Sequence, residues 1–310
     1  MRLPRRAEGR ASAMKLVIVG GGFTGAAVAR RALGGKSPVF ATTRSADRAR
    51  SLTALGVVSV LSPTLDPNGV RALVDESTRV VVTIPPDGAT DAAIAPCCAH
   101  AAAIVYVSST GVYGDASGRV DETTAIDPGA PRALARLAAE HEWRTAGATV
   151  VRAPAIYGPG RGMHLRLARG ELIVAGSGSR TVSRVHVDDL AFALCAVLER
   201  GARDAVYVMG DLAPAPHIEV VQWLCDALGI PPPVAAPDAI PDETLSHDRR
   251  VDSSRIRSEL AFDLAYPTYR EGYLNSLRAD REQLDQALAL RGHATKIDLE
   301  SLSPEGRSWR

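Results

Sequence analysis

No apolar stretch in this 310-residue chain approaches the roughly 20 residues that a membrane-spanning helix needs, so membrane partners are not expected. Net charge is scarce too. The 36 Lys and Arg against 35 Asp and Glu leave a formal +1, and no overall field argues for nucleic acid or an anionic lipid surface. Cysteine is sparse: Cys97, Cys98, Cys195 and Cys225 show no metal-type spacing, which predicts buried thiols in a reducing cytoplasm and no bound metal. Residues 1–13 are basic but lack the apolar core of a secretory signal. They read as a disordered extension or as a start codon placed too early, since Met14 stands directly before the first strand; a basic anchoring arm is the alternative. There is no internal repeat and no low-complexity array. What remains is an ordinary soluble globular composition, 46% hydrophobic and 23% charged, long enough for one large domain or two smaller ones.

The informative segment is Val17-Ile18-Val19-Gly20-Gly21-Gly22-Phe23-Thr24-Gly25, followed by Ala26-Ala27-Val28-Ala29. An apolar run, a glycine cluster and a helical pattern read as strand, tight turn, helix. Gly20, Gly22 and Gly25 match G-x-G-x-x-G in the setting that motif requires. The first glycine permits the turn, the second lets backbone approach a pyrophosphate, and the third lets helix lie close to strand. The helix start, with Phe23 and Thr24, would then offer free N–H groups and a positive dipole end to the phosphates.

Further strands follow at βαβ spacing: Pro38–Arg44, Val57–Leu61, Arg79–Pro86, Ala103–Val107, and a sixth opening at Thr149. Helical patterns lie between them, among them 91–102 and 133–147. This alternation predicts an α/β fold with a doubly wound parallel sheet and helices on both faces. Ligands bind at the carboxyl ends of such strands. Ile84 and Pro85 close the fourth strand there, and Ser108-Ser109-Thr110 close the fifth, where hydroxyls would face a nicotinamide. The second strand ends in Thr43-Arg44-Ser45, with Arg48 one turn on, and carries no carboxylate for a ribose 2′-hydroxyl. A guanidinium pairs bidentately with a 2′-phosphate, so these four residues favour NADP over NAD. The plain alternative is that both arginines are solvated residues at a helix start. Beyond residue 170 the pattern is mixed: a strand at 171–174, another at Val182–Val187, a helix capped by Asp188, a late strand at 205–209, a helix at 218–228 and one long helix over Tyr269–Leu290.

Four stretches together resemble the extended short-chain dehydrogenase/reductases, the NAD(P)-dependent epimerase/dehydratase proteins: the glycine turn, Ser108-Ser109-Thr110-Gly111-Val112-Tyr113-Gly114, Ile156-Tyr157-Gly158-Pro159-Gly160, and His186-Val187-Asp188-Asp189-Leu190-Ala191. The shortened glycine motif is similar to that of the atypical subgroups. The resemblance implies a Rossmann domain over 14–170, a smaller C-terminal α/β substrate lobe over 171–292 into which core elements at about 181–200 are interleaved, and a polar tail over 293–310. It also implies hydride transfer assisted by Ser, Tyr and Lys, the last two as Y-x-x-x-K on one helix face. Ser109 matches the serine. Aligned on Ala139-Glu140, the tyrosine and lysine positions fall on Arg132 and Arg136. An arginine stays protonated and cannot exchange a proton. Arg136 remains suited to the ribose hydroxyls, and Arg132 to an anionic substrate; both also read as solvated helix arginines. Pro63 occupies the family's adenine-facing acidic position, with Asp66 as a substitute nearby.

Tyr113 and Tyr157 are the candidates for the missing acid, with His164 behind them. The expected function is an NADP-dependent oxidoreductase, epimerase or dehydratase acting on a hydroxyl or carbonyl of a small molecule such as a nucleotide sugar, as a monomer or homodimer. The alternative is an NADP-binding sensor or scaffold without turnover.

Overall fold

The computed structural model describes residues 14–35, 37–87, 89–129, 131–236, 239 and 247–293. The expectations for residues 1–13 and 294–310, and for the side chain of Arg132, lie outside the described residues.

Seven strands build the main sheet: β1 (Lys15–Val19), β2 (Val39–Thr43), β3 (Val58–Leu61), β4 (Thr78–Val82), β5 (Ala103–Ser109), β6 (Ala148–Ala153) and β7 (Val206–Val208). Their order is β7-β6-β5-β4-β1-β2-β3, and every neighbouring pair is parallel. The helices are α1 (Phe23–Ala32), α2 (Ala46–Ala54), α3 (Pro67–Leu73), α4 (Thr90–Cys98), α5 (Pro131–Thr145), α6 (Met163–Arg169), α7 (Val187–Arg200), α8 (His217–Leu228), α9 (Ser254–Glu259), α10 (Tyr269–Ala279) and α11 (Arg281–Leu290).

The apolar strands are buried on both faces because successive side chains point to opposite sides. Leu16 and Ile18 pack with Val28 of α1 and with Leu190 and Leu194 of α7. Val17 and Val19 pack on the other face with Ile94 of α4 and Trp143 of α5. This is the doubly wound Rossmann arrangement expected from the sequence. A separate apolar cluster joins α6, α8, α10 and α11 around Leu224, Tyr269, Tyr273 and Leu277.

The chain runs from β1 outward to β3, then returns to β4 on the other side of β1. The two connections diverge there and leave a crevice at the carboxyl ends of β1 and β4, the position that binds ligands in open α/β sheets.

Four expectations change. The strand expected over Val182–Val187 is two strands, Thr181–Val182 and Arg184–His186. Ser183 sits at the break because a third segment claims it: its hydroxyl donates to the Arg249 carbonyl at 3.0 Å and accepts from the Val251 N–H at 2.8 Å. His186, not Asp188, caps α7, its Nδ1 accepting from the Asp188 N–H at 3.3 Å. The long C-terminal helix is broken at Asp280 (φ −98°, ψ 14°), whose carboxylate is engaged by another part of the chain described below. The late strand, observed as Val206–Val208, is the edge of the main sheet beside β6, so elements after residue 200 also belong to that sheet.

Candidate functional site

The glycine turn lies between β1 and α1. Gly20 adopts φ +105°, a left-handed conformation that favours glycine. Its N–H donates to the Thr42 hydroxyl at 3.0 Å and its carbonyl accepts from the Thr83 hydroxyl at 2.5 Å, so β2 and the end of β4 hold it from both sides. A Cβ at Gly25 would lie 2.1 Å from the Gly20 carbonyl oxygen, which fixes how closely α1 approaches the turn. Gly22 differs: a Cβ there meets no protein atom within 4 Å. It is the N-cap of α1 and supplies no side-chain cap, and the first turn carries no acidic residue. The leading N–H groups of the helix thus face open space with nothing anionic of their own.

Two adjoining cavities open over this turn. The outer one, of about 290 Å³, is walled by the glycine turn, Thr43, Arg44, Ser45 and Arg48. Ser45 caps α2, accepting from the Arg48 N–H at 3.3 Å, and its own N–H donates to the Thr43 hydroxyl at 3.2 Å. These bonds set where both exposed guanidinium groups emerge. Asp87 faces the same cavity; its bonds from Thr90, aided by the Arg44 charge, hold its carboxyl below the usual range. Leu65, at φ +54°, forms an apolar part of the wall. Asp66 does not line it; its carboxylate caps α3, accepting from the N–H groups of Asn68 and Gly69.

Thr83, Ile84 and Pro85 are common to both cavities. The inner one, of about 410 Å³, contains Thr24, Ser109, Arg136, Arg161, His247 and Arg249. Ser109 Oγ accepts from the Gly111 N–H at 3.0 Å, which leaves its own proton to donate. Arg136 Nη1 donates to the Tyr106 hydroxyl at 3.2 Å. Arg249 is a strut, donating to the carbonyls of Ala116 (3.0 Å) and Thr110 (2.8 Å). His247 Nδ1 lies 3.5 Å from Asp115, whose side chain is 95% exposed. Among the described wall residues Asp115 is the lone carboxylate against three arginines, so the cavity is electropositive.

The sequence candidates therefore divide. Gly20, Gly22, Thr43, Arg44, Ser45 and Arg48 meet in the outer cavity, Thr24, Ser109 and Arg136 in the inner one, with Ile84 and Pro85 in both. Phe23 lines neither; its ring packs under the Arg161 guanidinium, 5.3 Å from ring centroid to Cζ. The tyrosines offered as acids are elsewhere. Tyr113 is 1% exposed and accepts from Arg152 Nη1 at 3.2 Å. Tyr157 is 3% exposed and packed against Tyr273 and His186. Burial pushes both hydroxyls above the ordinary tyrosine range, and for Tyr157 the Asp211 charge adds to it. Neither lines the cleft, because each replaces water with core contacts. His164 lies on α6, fully buried against Asp280. Burial holds His186 at about 4, a neutral ring at physiological pH.

Sequence reasoning missed Arg161, His247 and Arg249 as wall residues. Arg161 was visible only as the end of a glycine-proline turn. His247 and Arg249 follow a proline-rich stretch with no motif, and the pairing of Arg249–Val251 with Gly118–Val120 brings them to the cleft.

Residues 88–210 match the profile of the NAD dependent epimerase/dehydratase family. "Protein YeeZ" of Escherichia coli K12 is 30% identical over 168 residues, 53% of this chain and 58% of YeeZ, so the chain spans little more than half the length of that curated relative. A solved structure from Silicibacter pomeroyi DSS, described as a functionally unknown conserved protein, is 31% identical with a TM-score of 0.75 over 86% of this chain and 99% of that one. The dTDP-glucose 4,6-dehydratase DesIV of Streptomyces venezuelae, solved with NAD and TYD bound, has the same TM-score of 0.75 over 87% of this chain and 97% of its own. At 19% identity that likeness shows the fold.

Proposed function

The chain belongs to the NAD-dependent epimerase/dehydratase family, and on that basis we propose that it is an NADP-dependent oxidoreductase acting on a hydroxyl or carbonyl group of a small, anionic substrate. The observation that carries this reading is the continuous groove over the β1/β4 crevice, with the open α1 N-terminus between Arg44 and Arg48 at one end and Ser109 at the other. The residues present fit a dinucleotide. Gly22 leaves the helix start uncovered, and Gly20 is locked in the turn that presents it. Arg44 and Arg48 would hold a 2′-phosphate, with Ser45 and Thr43 fixing their strand end; Ile84 and Pro85 would wall the groove midway.

A nicotinamide held by these residues would supply or accept the hydride. The side chains have separate tasks. Ser109 donates its hydroxyl proton to the substrate oxygen. Arg136, standing where the family's lysine falls, is placed for the ribose hydroxyls. His247 is assigned the proton exchange, since among the described wall residues it is the one imidazole, a side chain that can both accept and donate a proton. It replaces Tyr113 and Tyr157, which the fold buries.

The reading is tested by NADPH oxidation over a panel of carbonyl compounds. Turnover that is lost on Ser109→Ala supports it. For the cofactor, Arg44→Ala should weaken NADPH roughly 10- to 100-fold, the range for a charge-assisted hydrogen bond, and NADH much less. Equal loss for both would remove the case for NADP. The absence of both family side chains from the described cleft favours a second reading, a dinucleotide-binding sensor. Tight NADPH binding without turnover across the whole panel would select it.

A further inference from the structure

We propose that Arg161 binds the pyrophosphate of the dinucleotide, closing the anion site across the groove from the N-terminus of α1. The inference rests on the dinucleotide reading above and goes beyond its glycine turn, since it adds a charged side chain contributed from outside the β1–α1 unit.

The placement is specific. Arg161 lines the inner cavity beside Thr24, the second residue of α1. Its guanidinium lies over the ring of Phe23, the first residue of that helix, with Cζ 5.3 Å from the centroid. A guanidinium held over an aromatic face by cation–π attraction keeps its N–H groups available to a second partner, and the contact restricts where they can reach. Among the described residues no carboxylate forms an ion pair with Arg161, and the residue is exposed. An unpaired guanidinium is thus held at the start of a helix that brings no acidic residue and no side-chain cap of its own. Both would be satisfied by one diphosphate: the helix N–H groups from one side and Arg161 from the other.

The backbone behind Arg161 is built to hold it. Gly158 and Arg161 exchange backbone hydrogen bonds of 2.9 and 3.0 Å, closing a tight turn. Gly160, at φ +80°, directs its N–H to the Asp280 carboxylate at 2.7 Å. His164 Nε2 meets the same carboxylate oxygen at 2.8 Å. Burial would raise the Asp280 carboxyl, but the bonds from His164 and Gly160 outweigh it and hold it below the usual range. Asp280 is also where α10 stops and α11 begins. The break in the C-terminal helix and the position of Arg161 therefore share one anchor, and Asp280 acts as a positioning residue for the arginine.

The experiment is calorimetric titration of the full chain with NAD+ and with NADP+, for wild type, Arg161→Ala, Arg161→Lys and Asp280→Asn, at two salt concentrations. Dinucleotide binding by the wild type is read first and tests the underlying reading alone. Arg161→Ala should then weaken both dinucleotides by the same factor, roughly 10- to 100-fold, and flatten the salt dependence. Arg161→Lys, which keeps charge but loses the planar fork, should fall between. Asp280→Asn should weaken both dinucleotides less than Arg161→Ala. A thermal melt unchanged in Arg161→Ala excludes misfolding as the cause. Wild-type affinity for both dinucleotides in Arg161→Ala overturns the proposal, as does a rise in substrate KM alone, which would assign the arginine to the substrate.

Discussion

Arg136 Nη1 donates to the hydroxyl of Tyr106 across 3.2 Å, tying α5 to β5 at the wall of the inner cavity. Burial pushes the Tyr106 hydroxyl up to about 12 against the pull of the Arg136 charge, so it remains a neutral acceptor at neutral pH. Arg136 is therefore anchored rather than loose on the helix surface.

A division of labour along the groove follows. If the dinucleotide lies as proposed, Arg136→Ala should weaken NADP+ about tenfold yet leave adenosine 2′,5′-bisphosphate unaffected, because that fragment would reach only the outer cavity. Calorimetric titration with the two ligands separates these effects. Equal losses would show that Arg136 acts by distorting the whole groove.

Gly22 and Gly25 should respond oppositely to the same added methyl. Gly25→Ala drives a Cβ to 2.1 Å from a backbone oxygen, and should cost 1–3 kcal/mol or more, the usual range of ~1–3 kcal/mol for overpacking. Gly22→Ala meets no protein atom within 4 Å at φ −74°, so its melting temperature should match wild type. Its dinucleotide affinity should nevertheless fall, because the methyl occupies the approach to the helix start. Urea denaturation and ligand titration on both variants check this pair.

The Glu140–Arg152 pair is buried, with side chains 5% and 7% exposed, and bidentate at 3.0 and 2.7 Å. The Ser108 hydroxyl also donates to Glu140, at 2.5 Å, and Arg152 Nη1 donates to Tyr113. Glu140→Ala should destabilise by about 3–5 kcal/mol, because it leaves a buried guanidinium without its counter-charge. Replacing both residues with apolar ones should cost less than the sum of the single changes. A double-mutant cycle by urea denaturation measures this, and simple additivity would rule out direct coupling.

Asp211 makes stability depend on pH in an unusual direction. Burial raises its carboxyl from 3.8 to about 7, against the opposing pull of Arg184 and the Ala213 N–H. Between those values the folded state holds the extra proton. This contribution is therefore fully present below about pH 4 and is lost as pH rises through about 7. His186 and His217, both lowered from 6.5 to about 4 chiefly by burial, act with the opposite sign, losing stability as pH falls below 6.5. The difference between Asp211→Asn and wild type isolates the carboxyl. The variant should gain on wild type by a few kcal/mol, on the order of 1.4 per unit of pKa shift, between pH 5 and pH 8. A constant difference across that range would show that Asp211 titrates normally.

The main sheet was legible in the sequence because its strands are apolar on both faces and its helices follow at regular spacing. Those signals are local, and so is the glycine turn: Gly20 and Gly25 are demanded by contacts within one strand-turn-helix unit. The outer cavity was legible for the same reason, since Thr43, Arg44, Ser45 and Arg48 follow one another on one strand end. The inner cavity was legible only in part: Thr24, Ser109 and Arg136 line it, but the tyrosines offered as acids do not. Tyr113 and Tyr157 sit in motifs beside the expected site, yet nearness along the chain does not fix which way a side chain points, and burial against Arg152, Tyr273 and His186 took both away from the groove. Asp188 carried the sequence signal for a helix cap, but the ring of His186 reached the N–H first.

By itself the sequence determined the fold class, the site of the crevice and the chemistry of its outer half, all properties of contiguous segments. Only the tertiary structure decided the rest of the inner half, beyond Thr24, Ser109 and Arg136. Arg161 reaches the groove because Asp280, 119 positions later, holds its turn, and His247 and Arg249 arrive on a strand paired with residues 118–120. Contacts between segments so far apart depend on packing of the finished fold, and no periodicity or spacing along the chain encodes them.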